Sequence, residues 1–122
     1  MPAFSLVSEK SDTCVIATRL REQGVVFFHV PNEGRRSKQE AAILARMGVS
    51  AGVPDLIILD KPPNNLSYVG AAIEVKRILN GKTSEKQSDW LILFAERGWA
   101  TAVCYGSRAA FVKLREWGYL PA

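Results

Sequence analysis

Gly52-Val53-Pro54-Asp55-Leu56-Ile57-Ile58-Leu59 and, one turn further on, Ala71-Ala72-Ile73-Glu74-Val75-Lys76 are the two stretches from which the architecture of this 122-residue chain is read. Asp55 to Leu59 is a short, continuous apolar run after a proline, the pattern of a well-buried strand. Lys61 to Ser67 carries two prolines and two asparagines and reads as a turn or loop. Tyr68 to Arg77 is a second strand, so the pair most simply forms a hairpin.

Working outward, Ser37 with Glu40 three residues later is a capping-box pattern. It opens a helix through Ala41, Ile43, Leu44 and Met47 that stops at Gly48. Before it, Val25 to Val30 is β-branched and aromatic and predicts a strand, broken by Pro31-Asn32-Glu33-Gly34. Glu9 to Gln23 places Val15, Ile16 and Leu20 at helical spacing, with Gly24 as the stop. Beyond the hairpin, Ser84 starts a helix with Trp90, Leu91, Leu93 and Phe94, ending at Gly98. Thr101 to Tyr105 is a strand, and Ser107 caps a last helix holding Phe111, Leu114 and Trp117 before Gly118. The order α-β-α-β-β-α-β-α predicts an α/β fold, a mixed β-sheet flanked by helices, in a single domain over residues 1–122.

Composition narrows the class. A hydrophobic fraction of 48% and a charged fraction of 23% are ordinary for a globular domain and exclude disorder as the main state. No apolar run approaches the ~20 residues of a membrane span. The first ten residues lack a basic start followed by an apolar block, so no secretory signal is expected. Cys14 and Cys104 are too few for a disulfide scaffold; set among apolar neighbours, they are expected as buried free thiols. These features predict a soluble, intracellular protein without membrane association. The net charge of +4 suits an anionic partner without naming one.

The chemistry sits in polar residues within apolar strands. Side chains alternate along a strand, so Glu74 and Lys76 share one face while Ile73 and Val75 occupy the other. If the hairpin is symmetric about Asn64–Asn65, Asp55 stands opposite Glu74 and points to the same face. A slip of one residue would oppose it to Ile73 instead. Two carboxylates so placed repel unless a positive charge joins them. Mg²⁺ is held by one or two carboxylates plus waters and substrate phosphate, which this cluster offers, with the Val75 carbonyl as a further ligand. Lys76 would orient the attacking water or stabilise charge on the phosphate. The residues alone fit equally an ordinary ion pair on an exposed strand face. His29, the sole histidine, lies in an apolar strand and is expected to pack or hydrogen-bond rather than bind metal.

Pro54-Asp55 followed by Glu74-Val75-Lys76 resembles the PD…(D/E)-x-K signature of the restriction-endonuclease-like superfamily. Within it, the chain resembles the virus-type replication-repair nuclease (VRR-NUC) family, through segments in family order. They are Ser8-Glu9, Val30-Pro31-Asn32-Glu33-Gly34-Arg35-Arg36, Met47 to Asp55, Glu74 to Arg77, Gly81-Lys82-Thr83-Ser84 and Gln87-Ser88-Asp89-Trp90. The resemblance implies an αβββαβ core and a Mg²⁺- or Mn²⁺-dependent nuclease. Its small stand-alone members resemble phage Holliday-junction resolvases that act as homodimers, in the cytoplasm of a bacterium or a phage-infected cell. It implies Asp55, Glu74 and Lys76 as catalytic residues, with Glu9 joining Asp55 and Glu74 toward the metal. It also brings Gln87 near the catalytic centre, although Ser84-x-x-Gln87 is itself a capping box. Glu9 has a plain reading too, as a first-turn glutamate favoured by the helix dipole. One position departs: Thr13 stands where the family often has glutamine.

Arg35, Arg36 and Lys38, and a second group of Arg77, Lys82 and Lys86 beside Lys76, are the expected DNA-phosphate contacts. Trp90, Phe94, Phe111 and Trp117 at helical spacing are expected in the core or a dimer interface. The reading is a metal-dependent DNA endonuclease acting on branched DNA as a homodimer. Its alternatives are a flap or general duplex nuclease, a catalytically silent DNA-binding module and a structural subunit.

Overall fold

The computed structural model describes residues 9–31, 37–78 and 85–122, with the side chains of residues 9 and 10 outside that description. The elements are α1 (Glu9–Glu22), β1 (Phe27–His29), α2 (Lys38–Arg46), β2 (Leu56–Ile58), β3 (Ala71–Lys76), α3 (Glu85–Glu96), β4 (Ala100–Tyr105) and α4 (Ser107–Trp117). They form one four-stranded sheet in the order β1-β2-β3-β4. β1 and β2, and β2 and β3, are antiparallel, whereas β3 and β4 are parallel and joined through α3. The element order and the mixed sheet agree with the expectation.

One face of the sheet carries the core. Leu56, Ile58, Ile73 and Val75 meet Ile16 and Leu20 of α1 and Ala110, Leu114 and Trp117 of α4 in a single buried cluster. Full burial of each Leu or Ile there contributes about 1.5–3 kcal/mol. β3 is buried along its whole length, on both faces, because α3 covers the side opposite this cluster. Among the described residues, no helix is long and apolar enough to cross a membrane.

Local chemistry accounts for the ends. Ser37 accepts the Glu40 amide at 3.1 Å and Glu40 accepts the Ser37 amide at 3.2 Å, the expected capping box of α2. The hairpin connection reaches back to α4: the Asn64 amide donates to the Trp117 carbonyl at 2.9 Å, and the Asn64 side chain donates to that of Glu116 at 3.2 Å. These bonds satisfy carbonyls the last turn leaves without helical partners. Gly118, at φ +93°, makes the left-handed turn there, and a Cβ would lie 2.8 Å from the Asn64 side chain.

Four expectations are corrected. Ser107 does not cap α4; Gly106 is the cap residue, and the Ser107 amide instead donates to the Asp12 carboxylate of α1 at 3.2 Å. Cys14 is exposed, and only Cys104 is buried, its thiol pushed up to about 11 by that burial. Val15 faces solvent, the stripe of α1 being Asp12, Ile16 and Leu20 at i, i+4 and i+8. β3 begins at Ala71 rather than Tyr68, because the Tyr68 and Val69 amides turn to Asn65 and Gly98.

Candidate active site

β2 and β3 pair with Leu56 opposite Ile73, so one step along the register Asp55 stands opposite Glu74. That is the symmetric pairing, and it sets both carboxylates on one face of the sheet. Asp55 lies just before β2 and is tied on both sides. Its Oδ2 accepts the Val75 amide at 2.7 Å. Its carbonyl accepts the Val30 amide at 2.8 Å and His29 Nδ1 at 2.9 Å. His29 thus braces the backbone of Asp55, a hydrogen-bonding role.

Glu74 is held from two directions through one oxygen. Its Oε2 accepts Gln87 Nε2 at 2.6 Å and lies 3.3 Å from Lys76 Nζ. The Glu74 and Lys76 side chains are 2% and 9% exposed, so this is a buried pair and not an ion pair on an open strand face.

Gly52 explains how α3 brings Gln87 there. Its φ is +83°, and a Cβ would meet the Lys86 backbone carbon at 2.8 Å and the Gln87 amide at 3.0 Å. Only glycine lets the loop before Asp55 press against the first turn of α3. The Gly-Val-Pro-Asp string therefore positions Asp55 from one end and Gln87 from the other.

Asp55, Glu74 and Gln87 open into a cleft of about 950 Å³, lined also by Thr13, Cys14, Thr18 and Arg21 of α1 and by Val25 to His29. Lys86, next to Gln87, and Arg77, next to Lys76, are exposed beside the site. Lys38 opens α2 and is exposed, and no contact among the described residues brings it to Asp55 or Glu74. Arg35, Arg36, Lys82, the Ser84 cap and the Glu9 side chain lie outside the described residues. Glu9 itself begins α1. Asp12, buried one turn after Glu9 and capping α4, was not among the sequence candidates; its place on the Ile16–Leu20 stripe is the signal that marks it.

The donor set fits a hard divalent cation. Among the described residues no three of His, Cys, Asp and Glu cluster as a metal cage. A magnesium-type ion needs only one or two carboxylates and takes the rest of its shell from water and phosphate. Asp55 and Glu74 would supply that pair.

The VRR-NUC domain model matches residues 8–108, from the first helix into α4. The chain belongs to the VRR-NUC family, a family of nucleases. A solved structure described as a VRR_NUC domain protein superposes with a TM-score of 0.72 at 24% identity, covering 93% of this chain and 89% of its own, and shows the shared fold. Among curated proteins, none matches the chain. The match spans the elements that carry the candidate site residues: α1, the two strands of the hairpin and α3.

Proposed function

We propose that this VRR-NUC protein is a Mg²⁺- or Mn²⁺-dependent endodeoxyribonuclease that acts as a homodimer on branched DNA such as a four-way junction. The observation that carries it is the register that opposes Asp55 and Glu74, with the buried Lys76 ammonium 3.3 Å from Glu74.

Each residue has a task in phosphodiester hydrolysis. Asp55 and Glu74 would hold the ion, with the Val75 carbonyl as a further oxygen and Glu9 as a candidate from α1. When bound, a divalent cation supplies Lewis-acid charge to the phosphoryl group and lowers the pKa of the attacking water. The Val75 amide keeps the Asp55 carboxylate in one orientation. Gln87 and Lys76 do the same for Glu74, a support of the kind whose loss costs about 10–100-fold in affinity or activity. Lys76, buried beside Glu74, stabilises charge that develops on the phosphate. Arg77 and Lys86 hold the flanking backbone. Two strands of a two-fold junction need two such sites, and the described residues of one chain carry one, which is the ground for a dimer.

The test is cleavage of junction, flap and linear duplex DNA with Mg²⁺, with Mn²⁺ and with chelator. The expected result is metal-dependent cutting, fastest on the junction. Cutting in chelator would contradict the metal, equal rates on all three would contradict selectivity, and binding without cutting in either metal would mark a silent DNA-binding module.

A further inference from the structure

Phe28 lies on the same face of the sheet as Asp55 and Glu74. It pairs with Ile57, so its side chain shares the face of Ile57 and, two residues back along the chain, of Asp55. Glu74, opposite Asp55, is on that face as well. Phe27 turns to the other side, packs against the core and lies under the Arg21 guanidinium at 5.9 Å. Phe28 is 49% exposed and lines the same cleft as Asp55, Glu74 and Gln87. Strand geometry sets its Cα about 8 Å from that of Asp55, the reach of one nucleotide.

An exposed ring in a cleft continuous with a phosphate-cutting centre, with Arg21 on the wall, has the composition of a stacking platform for single-stranded DNA. Every base has a π-face, so such a platform is indifferent to sequence. In an intact duplex, neighbouring bases already occupy both faces. A base at a branch point is not so protected and can leave the stack at lower cost.

We propose that Phe28 stacks on an unpaired base of the nucleotide adjoining the scissile phosphate, so that the cleft lined by Phe28, Asp55 and Glu74 selects DNA with an unstacked base. The proposal rests on the nuclease reading above and supplies its substrate selectivity. Phe28 contacts substrate without touching the reacting atoms. Being half-exposed, it can be truncated without opening the core.

The test uses the full chain and a four-way junction carrying 5-iododeoxyuridine at each branch-point position in turn. Irradiation in chelator, which needs binding and no cleavage, is expected to give a crosslink that maps to Phe28, and none with linear duplex. In parallel, Phe28→Ala is expected to raise KM for the junction by about five- to a hundredfold with little change for linear duplex. Phe28→Trp is expected to restore the junction value. A crosslink at another residue, or a junction KM within twofold of wild type in Phe28→Ala, would overturn the stacking role. Wild-type cleavage in the same assay separates that failure from failure of the nuclease reading. Absence of DNA binding would overturn both.

Discussion

Asp55→Asn is expected to lower metal-dependent cleavage by about 10²–10⁴-fold, several kcal/mol of transition-state stabilisation, while the protein stays folded. The choice of asparagine follows from the geometry. Asp55 Oδ2 accepts the Val75 amide at 2.7 Å, and truncation to alanine would leave that strand amide without its acceptor at a cost of about 1–3 kcal/mol. An amide oxygen keeps the bond and removes the charge. Activity and folding are thereby separated: cleavage rates report the carboxylate, and a thermal melt reports the strand. Near-wild-type cleavage by a folded Asp55→Asn protein would remove Asp55 from the site.

Lys76→Met is expected to affect both quantities. Methionine keeps much of the packed stem but removes the ammonium 3.3 Å from Glu74, a carboxylate that is 2% exposed. Removing one partner of a buried pair costs about 3–5 kcal/mol, and for a domain of this size that lowers Tm by about 10 °C or more. Cleavage should fall by about a hundredfold or more through loss of charge stabilisation at the phosphate. The control is Glu74→Gln combined with Lys76→Met. If the cost comes from the charge of Glu74, the double variant melts above Lys76→Met alone. A double variant that melts lower would show that Lys76 stabilises by packing. Added Mn²⁺ should recover part of the Tm lost in Lys76→Met, because it restores positive charge between the carboxylates.

Much of this site is legible in the sequence because it depends on local periodicity. Period-two alternation puts Glu74 and Lys76 on one face, and the symmetric turn opposes Asp55 to Glu74. The capping box of α2 is likewise a four-residue signal, and it forms as written. Features set by distant partners are not legible in this way. Ser107 looks like a helix cap, but a carboxylate from Asp12, 95 residues away in sequence, takes its amide. Alternation assigns faces but not the layers that cover them. Glu74 and Lys76 therefore read equally as an exposed pair until α3 is seen to lie over them through Gln87. Gly52 stands in the sequence only as part of the lead into Asp55, and its role in admitting the backbone of Lys86 depends on a tertiary contact. Phe28 reads as one more apolar strand residue, and its exposure follows from the short edge strand that holds it.

The most direct measurement of the metal centre is anomalous diffraction from crystals of the protein soaked in Mn²⁺. The expected result is a peak between the carboxylates of Asp55 and Glu74, on the face of the sheet that carries Lys76, and no such peak in Asp55→Asn. A Mn²⁺ peak elsewhere in the chain with none between Asp55 and Glu74 would contradict the assignment.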